Sequence, residues 1–115
     1  MALPAGSVAS GLEEALRSTP IQECLQWFRR EHAWINEQHI ALSRIPSPTF
    51  FEQKRAEWMT ESFRALGWES KLDRAGNVVA WLAGRKEDPS VAVTAHLDTV
   101  LAPRNTEDID RKSVV

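Results

Sequence analysis

Cysteine is almost missing from this 115-residue chain, where Cys24 stands alone. An intramolecular disulfide is therefore excluded, and a reducing compartment fits the composition. No apolar run approaches the roughly 20 residues of a membrane span. The opening Met1-Ala2-Leu3-Pro4-Ala5-Gly6-Ser7 has neither a basic stretch nor a continuous apolar core of a secretory signal. A cytoplasmic protein is expected. Charge of either sign is not in excess: 14 Lys and Arg against 16 Asp and Glu give −2, without a basic stripe. Nucleic acid and anionic membrane both lack the footprint they need. There is no Gly-rich loop between a strand and a helix and no C-x-x-C, which argues against nucleotide or redox chemistry. Repeats, heptads and low-complexity tracts are absent as well.

What is present suits one globular domain at most, with 43% hydrophobic and 26% charged residues. Residues 1–18, rich in Ala, Gly and Ser, read as a flexible leader with at most a helical turn around Leu12 to Leu16. Thr19-Pro20-Ile21-Gln22 predicts a helix start. Thr19 is the cap, Pro20 sits where its missing N–H costs nothing, and Gln22 closes a capping box. Leu25, Phe28, Ile35 and Leu42 then keep a helical period beside a stripe of Trp27, Trp34 and Ala41. This helix extends to about Ser43, with an interruption near Glu31-His32 open as an alternative, and Ile45-Pro46-Ser47-Pro48 ends it.

A second helix is expected from Thr49, with Glu52 as capping-box partner and Gly67 as its C-terminal stop. Phe51, Arg55, Trp58, Met59, Ser62, Phe63 and Leu66 lie on or near one face. Trp68 to Leu72 alternates like an edge strand, and Asp73 to Asn77 is a turn in which Gly76 and Asn77 tolerate positive φ. Val78 to Ala83 is a second strand and Gly84 to Pro89 a charged turn. Val91-Ala92-Val93-Thr94-Ala95 reads as a third strand, covered on both faces. Two helices followed by three strands suit the opening of a mixed or mostly parallel α/β sheet. Residues 101–115 show no period and are expected to be an irregular, truncated tail, leaving residues 19–100 as an incomplete α/β unit.

Ala95-His96-Leu97-Asp98-Thr99-Val100 closes that third strand. In open α/β folds ligands bind beyond the carboxyl ends of the strands, where His96 falls. Asp98 is placed to accept a hydrogen bond from the imidazole nitrogen turned away from a metal, fixing the tautomer. Thr99 is available to bond backbone at the turn. Spacing alone leaves two readings open: a metal ligand with its orienting carboxylate, or an ordinary loop pair.

The same run resembles the first metal-site motif of the M20 family of zinc-dependent exopeptidases and amidohydrolases, a group that includes glutamate carboxypeptidase, aminoacylase and dipeptidases. The resemblance extends upstream. Ile45-Pro46-Ser47-Pro48 is similar to the family's I-P-S segment, Ala56 to Gly67 to its second helix, and Gly76-Asn77-Val78-Val79-Ala80 to its G-N-V-x-A strand start. Together these blocks cover residues 21–100, and the resemblance implies that residues 19–100 are the N-terminal portion of a metallopeptidase catalytic domain.

The resemblance implies metal-dependent hydrolysis of peptide or N-acyl-amino-acid amide bonds at a two-zinc centre. His96 would ligate one zinc and Asp98 would orient it. A zinc-bound water would attack the carbonyl while the metals stabilise the oxyanion. Small peptides or N-acyl amino acids are the implied partners. The family's later D-x-K-G block, its Glu-Glu pair and its late histidine have no counterpart here, so the chain alone is expected to bind zinc weakly at best and to be inactive. A non-catalytic or degenerate product, or a small binding protein of the same ancestry, is the alternative.

Glu107, Asp108 and Asp110 follow the motif too soon and read as solvated tail. His32 and His39 read as structural, Cys24 as a small core residue, and the five tryptophans mostly as core. Isolated residues 1–115 are expected to be marginally stable, or to self-associate through the strand beginning at Ser90.

Overall fold

Residues 5–100 are described by the computed structural model, and the chain divides between Glu37 and Gln38 into two compact units. In the first unit, α1 (Ala5–Arg17) packs on α2 (Thr19–Arg30). The leader expected over residues 1–18 is thus a helix from Ala5 onward. Alanine is the strongest helix former, and Val8, Leu12 and Leu16 recur every four residues to give α1 one apolar stripe. Its exposed Glu13–Arg17 pair, 3.8 Å apart, adds little.

The start of α2 is one residue earlier than a Thr19 cap requires. Ser18 is the N-cap, with extended φ −68°, ψ 138° and no side-chain capping bond. Its hydroxyl donates back to the Ala15 carbonyl at 2.8 Å. The Gln22 amide donates to the Leu16 carbonyl, so the predicted capping box does not form. Pro20 is the second helical residue rather than the first, still within the turn where a missing N–H leaves no helical bond unmade.

The interruption near Glu31 is present. Glu31 leaves helical geometry at φ −95°, ψ 14°, and α3 (His32–Arg44) follows. Trp27 meets Phe28 edge-on at 5.2 Å and Trp34 at 6.0 Å between ring centroids. These contacts give the seven-residue tryptophan stripe its packing. Cys24, expected in the core, is exposed; α2 has no buried residue at all.

In the second unit, α4 (Gln53–Ala65) lies against a hairpin of β1 (Glu69–Leu72) and β2 (Val78–Trp81). The α4 stop is built as the sequence requires. Gly67 adopts φ +84°, its N–H donates to the Arg64 carbonyl at 2.9 Å, and Trp68 N–H donates to the Phe63 carbonyl at 3.1 Å. This is a Schellman arrangement, and the Phe63 and Trp68 rings, 5.6 Å apart, supply its apolar contact.

The strands pair antiparallel with Glu69 opposite Trp81 and Leu72 opposite Val78. Ser70 turns inward while its neighbours Glu69 and Lys71 are exposed. The Lys71 ammonium sits 5.4 Å from the Trp81 ring centroid on the outer face.

Asp73 organises the loop between the strands. One carboxylate oxygen accepts the Ala75 and Asn77 amides and the other the Asn77 side-chain amide, each at 2.9 Å. Gly76 takes the positive φ of +86°; Asn77, the other candidate, does not. The Asn77 side-chain and backbone bonds hold the Asp73 pKa below its ordinary 3.8. A depressed carboxyl contributes stability that is present above 3.8 and lost as pH falls through its folded value. Acid titration followed at the Ala75 and Asn77 amides should therefore show the loop opening with a midpoint below 3.8.

Two expectations about the sheet need correction. Residues 82–100 carry neither helix nor strand, so the predicted third strand does not form. Val91 and Val93 are 88% and 94% exposed. A strand exists by virtue of a neighbour, and an apolar run without one has no ladder to join. The helices and the two-stranded antiparallel sheet give a mixed α/β content; among the described residues no parallel pair occurs. The charged turn is present, with Arg85 and Asp88 paired at 2.9 Å. Buried side chains are Ile40 and Ala56 together with Ser47, Arg55, Thr60 and Ser70. Among the described residues no helix is long and apolar enough to cross a membrane. The tail, with Glu107, Asp108 and Asp110, lies outside the described residues.

Candidate functional site: the His96–Asp98 pair and its brace

Two stretches far apart in sequence meet here, the proline-bounded loop 45–49 and the run 97–99. The Thr99 amide donates to the Ser47 carbonyl at 2.8 Å. Arg55, only 3% exposed, reaches both stretches from the first turn of α4. Its guanidinium donates to the Ile45 carbonyl at 3.1 and 2.5 Å, to the Leu97 carbonyl at 2.8 Å and to the Thr99 hydroxyl at 3.1 Å. A planar fork with several donors satisfies three acceptors at once, which an ammonium group cannot do with the same geometry. Burial lowers the Arg55 pKa, yet a guanidinium remains charged at neutral pH.

Thr49 does not cap α4, whose N-cap is Glu52. The Thr49 hydroxyl instead donates to Asp98 Oδ2 at 2.7 Å. Phe50 explains the change. It holds φ +72° in a turn closed by the Phe51 amide on the Pro48 carbonyl at 2.9 Å. A bulky residue in the left-handed region is a strained exception. Glu52 Oε1 accepts the Phe50 amide at 2.9 Å, so the carboxylate read as a capping-box partner secures this turn.

His96 and Asp98 come together as the spacing suggests. His96 Nδ1 lies 2.8 Å from the Asp98 carbonyl oxygen and 3.1 Å from Asp98 Oδ1. Both partners are acceptors, so Nδ1 carries the proton and the neutral ring keeps its lone pair on Nε2. The His96 side chain is 83% exposed and that of Asp98 34%. The Thr49 hydrogen bond, and after it the His96 ring, hold the Asp98 carboxyl below its ordinary value against the opposing pull of desolvation. At neutral pH it is a carboxylate.

Thr99 bonds backbone at the turn as expected, through its own amide, and its hydroxyl serves Arg55. Arg55 and Thr49 are the site residues that sequence reasoning assigned elsewhere. A cation among Phe51, Trp58, Met59 and Phe63 on one helix face was the available signal for Arg55. The Ser47 hydroxyl is buried without a hydrogen-bond partner.

As a metal site the donor set fits one ligand. His96 offers an exposed lone pair, but among the described residues no group of three or more His, Cys, Asp or Glu side chains could hold a metal ion. His32 and His39 are both exposed on α3. A shallow groove of about 400 Å³, lined by Glu57, Thr60, Glu61, Arg64, Lys71 and Leu72, includes none of the residues of the pair or its brace. In comparisons with known proteins, no family model, no curated protein and no solved structure matches this chain.

Proposed function

We propose that this chain carries the first metal-site motif of a metal-dependent hydrolase of the M20 kind, acting on peptide or N-acyl-amino-acid amide bonds. His96 serves as a zinc ligand through Nε2, and Asp98 holds the ring in the ligating tautomer. The observation that supports this reading is the pair of acceptors on His96 Nδ1, at 2.8 and 3.1 Å. They leave the other ring nitrogen as a lone-pair donor facing solvent. A carboxylate or carbonyl behind a ligating imidazole is the usual means of fixing its orientation. A divalent metal, when bound, supplies an acidified water and a countercharge for the oxyanion.

One ligand does not make a zinc centre, which takes three or four. The remaining donors of a complete site are not among the described residues. That observation favours a second reading, a non-catalytic interaction protein of the same ancestry.

Zinc titration of the 15N-histidine-labelled chain separates the two. The hydrolase reading expects the His96 Nε2 resonance to move on zinc addition, with an affinity weaker than about 1 μM for so sparse a donor set. Shifts confined to His32 and His39 would refute a ligating role for His96. Tight stoichiometric binding would mean that ligands beyond the described residues complete the centre.

A further inference from the structure

We infer that Thr49 is the positioning residue of the His96–Asp98 pair, biasing the imidazole tautomer by holding the carboxylate plane beside the Asp98 carbonyl that also faces Nδ1. This rests on the reading of His96 as a ligand and identifies what keeps that ligand aimed.

A carboxylate at the end of an aspartate turns in a broad, roughly two-fold well, so contact with a histidine alone leaves its plane loosely fixed. Here Oδ2 accepts the Thr49 hydroxyl at 2.7 Å, and Oδ1 is left facing His96 Nδ1 at 3.1 Å. The hydroxyl has one proton, and an ionised carboxylate only accepts, so the direction of the bond is fixed. The separation of 49 residues makes this a tertiary contact rather than a turn-local one.

The chain on either side of Thr49 is held at three points. The Ser47 carbonyl takes the Thr99 amide, Arg55 joins the Ile45 carbonyl to Leu97 and Thr99, and the strained turn at Phe50 is tied by Glu52. Thr49 is exposed, so its hydroxyl is not needed to satisfy a buried partner. Its contribution is direction.

The consequence is chemical. With the carboxylate fixed, the Nδ1–H tautomer is favoured and Nε2 is free to ligate. With it released, the Asp98 carbonyl at 2.8 Å is the remaining acceptor for Nδ1–H, and the share of Nε2–H, the tautomer a free histidine side chain prefers, rises at the expense of the ligating form.

Thr49→Val keeps the branched shape and removes the donor. Long-range 1H–15N spectra of the histidine-labelled full chain, recorded where the rings are neutral, read the tautomer directly. The wild type should show His96 predominantly as Nδ1–H, Thr49→Val should raise the Nε2–H share measurably, and Thr49→Ser should restore the wild-type ratio. Zinc affinity at His96 should fall about tenfold in Thr49→Val. Amides of Ala75 and Asn77 report that the hairpin is intact. If Val disturbs them, Thr49→Ala replaces it with the same two outcomes.

A tautomer unchanged by loss of the hydroxyl, or a wild type already in the Nε2–H form, overturns the inference. A tautomer that follows residue 49 while zinc leaves His96 untouched keeps the positioning role and overturns the hydrolase reading instead.

Discussion

Arg55→Met should lower the stability of the chain by about 2–4 kcal/mol and strip the Thr99 amide of its hydrogen-exchange protection. Methionine retains most of the apolar stem, so the loss isolates the guanidinium. Two effects oppose each other. Removing a buried cation recovers its desolvation cost, which can make such replacements neutral when the partners are also replaced by apolar groups. Here the partners are the Ile45 and Leu97 carbonyls, which no side-chain substitution removes. Each part-buried acceptor left unpaired costs about 1–3 kcal/mol, and that outweighs the recovered desolvation. Denaturant titration gives the magnitude, and exchange at Thr99 gives the location. Arg55→Lys should recover only part of the loss, because one ammonium cannot reach acceptors arranged for a fork. Unchanged protection at Thr99 would show that the two stretches associate without Arg55.

The second large effect is expected at Asp98. Asp98→Ala removes the Thr49 acceptor and one of two partners of His96 Nδ1, and should weaken zinc at His96 by about 10- to 100-fold. The backbone carbonyl of residue 98 remains at Nδ1, which is why loss of ligation is incomplete. The Asp98 pKa is depressed, chiefly by Thr49, so the Thr49–Asp98 contact is fully present above 3.8 and is lost as pH falls through the lowered folded value. Isothermal titration with zinc at neutral pH compares the two chains; equal affinities would assign the ring orientation to the backbone carbonyl alone.

Local signals in the sequence carried over well where the structure is local. Gly67 and Trp68 stop α4 because a left-handed glycine followed by an aromatic satisfies both backbone and apolar contact within six residues. The turn at 73–77 follows from an aspartate able to bond its own chain two and four residues on. The break at Glu31 was open in the pattern because the apolar period weakens there.

What was not legible depended on distant partners. Thr49 followed by Glu52 has the spacing of a capping box, yet the hydroxyl has a better acceptor in Asp98, charged and 49 residues away. Val91 to Ala95 has the composition of a buried strand, but composition cannot supply the neighbour. The contact between His96 and Asp98 was legible because it spans only two positions. Arg55 was placed on an apolar helix face, but nothing in that pattern names the carbonyls it serves.

The interior of the second unit has a thermal consequence. Among the described residues its buried set is mostly polar, with Ser47, Arg55, Thr60 and Ser70 beside Ile40 and Ala56. Hydration of newly exposed apolar surface raises the heat capacity of unfolding, and hydration of polar surface lowers it. This unit should therefore unfold with an increment below the usual value of about 12–15 cal/mol/K per residue. Its stability would then change little between cold and warm, with a shallow maximum.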